Sequence, residues 1–170
     1  MDQLKDLSRE QLEELLQDFA KRWLAHDGLW FQAIEQGRDM DEAIRYDIAA
    51  WEKFTVIEAK RIMGFLGLKP GGGLQALEQA LKFRLYAFIN VQSTEWINEK
   101  TLVFKMNDCR VQSARNRKGM ADFPCKPVGL QEYSLFAKAI DPRISTRCIA
   151  CPPDEHPQEF YCGWEFTLVE

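Results

Sequence analysis

The sequence predicts an α+β fold in which an N-terminal helical half packs on a C-terminal antiparallel sheet of about four strands. Apolar residues recur with a helical period up to about residue 85, and they alternate with polar residues from about residue 86 onwards. Helices and strands thus occupy separate parts of the chain, whereas a parallel sheet would need βαβ alternation. At 170 residues with 46% apolar side chains, the chain has the size of a single domain spanning residues 1–170.

Three helices are predicted in the first half. Ser8 and Gln11 form a capping-box pattern at the start of the first helix, which Gly28 is expected to break. Asp39 begins the second helix, which should end near Gly67. A third, shorter helix follows the glycine-rich turn. Apolar residues in the first two helices lie three or four positions apart, which is the spacing of a helix that buries one side.

The second half is predicted to form a hairpin, a helix and another hairpin. Residues 115–127 are polar and contain glycine and prolines, so they predict a loop. Residues 128–140 have the apolar spacing of an amphipathic helix, and a proline follows it. Alternating side chains place the strands at residues 86–96, 101–111, 143–151 and 159–169.

Charge and hydropathy exclude two broad classes of partner. The formal net charge is −4, from 22 basic and 26 acidic residues. A general nucleic-acid binder or anionic-membrane binder needs a positive surface, so we expect neither partner. No apolar run approaches the roughly 18 residues that span a bilayer. Residues 1–16 are charged and amphipathic and show no secretory signal, so a cytoplasmic location is expected.

Five cysteines all fall within residues 109–162, and an odd number cannot pair completely. In a reducing cytosol this clustering indicates thiols kept for packing, metal ligation or chemistry rather than a disulfide framework. One hypothesis is a four-thiolate cage for zinc or an iron–sulfur cluster. The alternative is a set of buried thiols that act as small apolar residues. The four candidate ligands are Cys125, Cys148, Cys151 and Cys162.

A second group of polar residues lies at the end of the predicted strand 101–111. If Cys109 is a nucleophile, Arg110 or Arg115 would lower the pKa of its thiol and Asn107 would donate to an oxyanion. A general base is also required, and the two histidines are far away in sequence. The alternative interpretation is a strand end that enters a solvated basic loop.

A third group interrupts the apolar stripes of the first two helices. His26 and Asp27 occur where the pattern expects buried residues, and Asp47 and Glu58 on the second helix would join them. Such a cluster suits acid–base chemistry or a hard metal, and Trp30 would supply an aromatic wall. The alternative is that the pair caps or kinks the first helix.

The order of these motifs resembles an uncharacterised family of small bacterial and archaeal cytosolic proteins. The resemblance rests on the segment His-Asp-Gly-Leu-Trp-Phe at residues 26–31, Cys109 with Arg115, the Cys-x2-Cys-Pro-Pro segment at 148–153, and Cys-Gly-Trp-x-Phe at 162–166. The C-terminal half is distantly similar to the L-2-amino-thiazoline-4-carboxylic acid hydrolase-like family, and more loosely to 4-vinyl reductase-type domains. These resemblances imply an α+β ligand-binding architecture and cleavage of a cyclic C–N bond.

The leading prediction is a cytoplasmic protein that binds a small molecule, expected to be an anion, in a pocket between the helical half and the sheet. One alternative is a C–N bond hydrolase with Cys109 as its nucleophile, and another is the thiolate metal protein. A homodimer is a further expectation. The residues expected to line the pocket are His26, Asp27, Asn107, Cys109 and Arg110, with Trp30, Asp47, Glu58 and Arg115 around them.

Overall fold

Five α-helices and four β-strands form within residues 2–170, the part of the chain that the computed structural model describes. The strands form one sheet, and two short 3-10 helices span Asp2–Leu4 and Leu85–Phe88. The α+β class and the four-stranded antiparallel sheet are as predicted. The elements in chain order are α1 (Arg9–Gly37), α2 (Met40–Leu66), α3 (Gly73–Leu81), β1 (Val91–Asn98), β2 (Thr101–Asp108), α4 (Arg110–Arg117), α5 (Lys126–Ile140), β3 (Ile144–Ala150) and β4 (Cys162–Leu168).

Local sequence signals set the ends of the two long helices. The Ser8 hydroxyl accepts a hydrogen bond from the Gln11 amide, and the Gln11 side-chain oxygen accepts one from the Ser8 amide, so the predicted capping box is formed. The Asp39 carboxylate caps α2 by accepting from the Glu42 amide, and Gly67 ends this helix with a φ of 67°, a left-handed conformation that favours glycine. The expected break at Gly28 is wrong, because α1 continues through it. A mid-helix glycine costs only about 1 kcal/mol relative to alanine.

The sheet has the strand order β1-β2-β4-β3, and every neighbouring pair is antiparallel. Both predicted hairpins are therefore present, and the central β2–β4 pairing joins them. Period-two alternation divides the side chains of β2 and β4 between two faces. One face carries cross-strand ion pairs such as Lys105–Glu95, at 2.8 Å, and the other carries buried apolar residues such as Phe104 and Trp164.

The helices cover the apolar face of the sheet, and α5 lies directly against it. Gly129 of α5 contacts the indole of Trp164 so closely that a Cβ there would lie 2.6 Å from Cζ2. The absence of a side chain at this position lets α5 approach β4. On the other side of α5, the Thr55 hydroxyl of α2 donates to the Glu132 carbonyl at 3.0 Å. α2, α5 and the sheet thus form successive packed layers.

Two sequence predictions need correction. The described residues form five α-helices, whereas about three were predicted for the helical half: α5 is the helix predicted between the hairpins, and α4 forms in a segment predicted as strand end and loop. The α4 sequence is almost entirely polar and carries no apolar stripe, so tertiary contacts hold it: Gln112 bonds to the backbone of Phe123 through both ends of its amide. The first strand also begins at Val91, because Leu85–Phe88 is a 3-10 helix.

None of the helices in residues 2–170 has the length and apolar character needed to cross a membrane.

Candidate ligand-binding cavity

A cavity of about 420 Å³ lies between the helices and the apolar face of the sheet. α1, α2 and α5 form its helical wall, β2 and β4 contribute the sheet wall, and α4 closes one side. Most of the lining is aromatic or aliphatic, with carboxyl groups and thiols set into it. Lining residues include Leu24, Asp27, Gly28, Phe31, Asp47, Trp51, Tyr86, Met106, Cys109, Gln112, Phe123, Cys125, Gly129, Glu132, Tyr133, Cys151, Cys162 and Trp164.

Three carboxyl groups from three helices meet in this cavity: Asp27 of α1, Asp47 of α2 and Glu132 of α5. Burial raises the pKa of Asp47 to about 7, and the charges of Asp27 and Glu132 add to that increase. Burial also raises the pKa of Asp27 and that of Glu132. The pKa of Tyr86 is raised as well, by burial and then by these same three carboxylates. We call the three carboxyl groups of Asp27, Asp47 and Glu132 the acidic cluster.

Arg84 lies behind the acidic cluster and is 2% exposed. Its guanidinium is 2.9 Å from Glu58 and 2.7 Å from Glu132. Both carboxylates raise the pKa of Arg84 against the opposing effect of burial. Glu58 also accepts from the Leu85 amide at 3.2 Å and does not line the cavity. The prediction that Glu58 joins Asp27 and Asp47 is therefore corrected: it holds Arg84 and the chain entering the 3-10 helix.

Four thiols line another part of the cavity, and we call them the thiol cluster: Cys109, Cys125, Cys151 and Cys162. The sulfurs of Cys125 and Cys151 are 3.6 Å apart, which is hydrogen-bond distance for two thiols. The Gln112 amide donates to the Cys125 sulfur, also at 3.6 Å. Hydrogen bonds with Cys125 and Cys162 raise the pKa of Cys151, so this group favours its protonated thiol form.

The predicted four-thiolate cage finds no support in this arrangement. Within residues 2–170, no group of three or more histidine, cysteine, aspartate or glutamate side chains is placed to hold a metal ion. Cys148, one of the four candidate ligands, does not line the cavity with the others. Hydrogen bonds with neighbouring thiols raise the pKa of Cys151, and burial raises that of Cys109, whereas metal ligation needs thiolates. The zinc or iron–sulfur hypothesis thus stays a sequence prediction.

The surroundings of Cys109 disfavour a nucleophilic role. Burial raises the pKa of its thiol to about 12 and outweighs the hydrogen bonds from the Gln112 and Val111 backbone. Asn107, the predicted oxyanion donor, does not line the cavity: its amide donates to the Glu159 carbonyl, and its oxygen accepts from the Ser93 hydroxyl. This correction follows from strand register, because Asn107 and Met106 lie on opposite faces of β2.

Alkylation tests the protonation state of Cys109. Because its pKa is raised to about 12, we expect iodoacetamide to label this thiol about 100-fold or more slowly than glutathione at pH 8. The rate should still be rising at pH 10. Tryptic peptide 106–110 contains Cys109 alone, so mass spectrometry reports it separately. In urea the rate should approach that of glutathione; rapid labelling of the folded protein with a plateau near neutral pH would contradict the expectation.

The exposed basic residues of the cavity lie at its rim, and one buried arginine lines it. Lys21, Arg110, Arg117 and Lys118 are exposed there. Arg115 is buried, but its guanidinium makes two 2.9 Å contacts with Glu35 and a 2.8 Å hydrogen bond to the Ala121 carbonyl. The Arg115 hydrogen bonds lower the pKa of Glu35. Arg115, predicted to bind ligand, lines the cavity, and its ion pair with Glu35 ties α4 to α1.

Two predicted site residues on α1 do not line the cavity. His26 is exposed, and Trp30 is 64% exposed. Because α1 is unbroken, its 3.6-residue period directs Asp27 and Phe31 to the cavity and directs His26 and Trp30 away from it. The expectation that His26 and Asp27 act as a pair is corrected: only Asp27 reaches the cavity.

Sequence reasoning missed Glu132, Tyr86 and Trp164 as lining residues. Glu132 carried a usable signal, since it lies four residues after Val128 and four before Phe136, within the apolar stripe of α5. A carboxylate there is the same kind of interruption that indicated Asp47. Tyr86 and Trp164 carried no such signal, because aromatic residues are common in any core.

The model of DUF6125, a family of unknown function, matches residues 5–168. None of the curated proteins matches the chain.

Proposed function

Because the chain belongs to DUF6125, a family of unknown function, we propose its function from the cavity alone: the protein binds a small organic molecule between its helices and its sheet. The observation that carries this proposal is that Asp27 and Cys109, polar interruptions from opposite halves of the sequence, line one cavity. Its volume of about 420 Å³ lies within the usual range for small-molecule sites.

An unsatisfied polar group supports the proposal. Trp164 lines the cavity and is fully buried, yet its indole N–H has no hydrogen-bond partner among the described residues. Buried tryptophan N–H groups usually find an acceptor, because leaving one unpaired costs about 1–3 kcal/mol. A bound molecule with an acceptor atom would remove that cost.

The site supports a ligand-binding role more than the C–N bond cleavage that the resemblance to the thiazoline carboxylic acid hydrolase-like family implies. A C–N bond hydrolase of the predicted kind needs a Cys109 thiolate, whereas burial raises the pKa of this thiol to about 12. Among the described residues, no histidine lines the cavity to act as its base. We therefore propose binding, and we derive no bond cleavage from this site.

Filling the cavity tests the proposal. A Cβ at Gly28 would meet no atom within 4 Å, and Gly28 lines the cavity, so Gly28→Leu should fill space without a clash. We expect wild-type protein to bind the neutral dye Nile red at one site, seen as an increase in dye emission. Gly28→Leu should weaken that binding about tenfold or more, which corresponds to losing about 1.4 kcal/mol.

Gly64→Leu is the matched control, because Gly64 is also a helical glycine with open space around it, in the last turn of α2, and lies outside the cavity. Both variants should keep or gain stability, since leucine has a higher helix propensity than glycine. Circular dichroism and thermal melting check this. Equal dye binding by the two variants, or no binding by the wild type, would refute the proposal.

A further inference from the structure

The charges inside the cavity do not balance. Asp27 and Asp47 line it, and neither forms an ion pair within the described residues. Glu132 is paired with Arg84, but that single guanidinium also serves Glu58. Arg115 also lines the cavity, but Glu35 compensates its charge. The cavity interior therefore has more acidic groups than the protein's own cations compensate. An uncompensated buried carboxylate is costly, and a cation bound beside it removes the cost.

The aromatic lining suits a cation as well. Trp51 and Tyr86 line the cavity, and their rings are stacked with centroids 5.8 Å apart. Arg84 already uses these two rings, since its guanidinium carbon is 5.6 Å from the Trp51 centroid and 5.9 Å from that of Tyr86. Aromatic faces with adjacent carboxylates are a recurrent site for ammonium ions. The protein thus already holds one cation, the Arg84 guanidinium, next to the cavity with aromatic rings and carboxylates.

The basic rim does not change this conclusion. The exposed cations there are in contact with water, where their attraction for a ligand is screened. The interior carboxyl groups lie in a less polar environment, where an ion pair is stronger. A small anion that entered the cavity would meet Asp27, Asp47 and Glu132, so the interior disfavours the anionic ligand expected from the sequence.

We propose that the ligand carries an ammonium group, which Asp27 and Asp47 bind beside the rings of Trp51 and Tyr86. Because the indole N–H of Trp164 has no hydrogen-bond partner among the described residues, we expect the ligand to carry an acceptor atom as well. This inference rests on the proposed function, because it specifies the chemical class of molecule that the same cavity binds. It also predicts that the cavity prefers a positively charged ligand to a neutral one. An experiment can contradict that preference even when it shows that the cavity binds a ligand.

Three probes of similar size separate the charge preference from binding: 2-phenylethylammonium, 2-phenylethanol and phenylacetate. Their dissociation constants can be measured at pH 8 by isothermal titration calorimetry. We expect the ammonium to bind about tenfold or more tightly than the alcohol, and the carboxylate to bind more weakly than either. The ammonium should also bind more weakly at pH 5.5, because Asp47 is then protonated, whereas the alcohol should bind equally at both pH values.

Two isosteric variants test the assigned carboxylates. Asp27→Asn and Asp47→Asn should each weaken ammonium binding about tenfold and weaken alcohol binding by a smaller factor, so that the preference for the ammonium over the alcohol falls. Glu52→Gln is the control, since Glu52 is an exposed carboxylate of α2 outside the cavity, and all three probes should bind it as they bind the wild type.

Each outcome bears on one proposal or the other. If the alcohol binds and the ammonium binds no more tightly, or if phenylacetate binds most tightly, the ammonium inference is overturned and the proposed function remains. If the ammonium preference survives both aspartate variants, the assigned residues are wrong. If none of the three probes binds while Nile red does, the ammonium inference is overturned; if Nile red also fails to bind, the proposed function is overturned with it.

Discussion

Replacing Arg84 with methionine is expected to lower the free energy of unfolding by about 3–5 kcal/mol. The guanidinium is almost fully buried and contacts Glu58 at 2.9 Å and Glu132 at 2.7 Å, so its removal leaves two buried carboxylates without a counter-charge. It also packs against four aromatic rings, the closest being Phe136 with its centroid at 4.7 Å. Urea denaturation at pH 7 measures the change.

Two further variants show whether charge is the cause. Arg147→Met removes an exposed arginine that pairs with Glu165 on the solvent face of the sheet, and we expect it to cost about 1 kcal/mol or less. Adding Glu58→Gln and Glu132→Gln to the Arg84 variant should restore part of the lost stability, because the orphaned charges are then absent. An Arg84→Met cost no larger than that of Arg147→Met would show that the buried network is energetically unimportant.

Replacing Asp47 with asparagine is expected to stabilise the protein at pH 8 by roughly 2–4 kcal/mol and to have little effect at pH 4. The pKa of Asp47 is raised to about 7 in the folded state and is near 3.8 without the fold. Between these values the folded protein binds a proton that the unfolded chain does not, so Asp47 lowers stability progressively as the pH rises from 4 to 7. Asparagine keeps the size of the side chain and removes this loss.

The measurement is the difference in unfolding free energy between variant and wild type at pH 4, 5, 6, 7 and 8. The difference is needed because the wild-type profile also contains groups of opposite sign, such as Asp141, whose pKa is lowered to about 2 by hydrogen bonds from Arg143. The difference in unfolding free energy should increase from pH 4 to pH 7 and stay constant above pH 7. A difference for Asp47→Asn that stays constant from pH 4 to pH 8 would contradict the raised pKa.

Elements with a complete local signal were predictable from the sequence. The capping box at Ser8, the aspartate cap at Asp39 and the left-handed Gly67 act over four residues or fewer, so their effects can be read without knowing the fold. α4 has no such signal. It depends on the bond between Gln112 and the Phe123 backbone and on the Arg115–Glu35 pair, whose members lie 80 positions apart in sequence.

The candidate site was predictable in its chemistry but not in its exact membership. Asp27, Asp47 and Cys109 were found because each interrupts an apolar pattern, and all three line the cavity. His26 and Asn107 were assigned with them because they are sequence neighbours. Adjacent side chains point to different sides of a helix or a strand, however. The sequence alone did not show which side of α1 or of β2 would face the cavity.

The two walls of the cavity come from distant parts of the chain: α1 and α2 supply one, and β4 supplies part of the other. A bound molecule would lose contacts whenever either wall opened locally. Occupancy would therefore couple the opening of the helical layer to that of the sheet, and amide hydrogen exchange should slow in both layers together. The site would then act as a cooperative link between two layers that otherwise open with separate free energies.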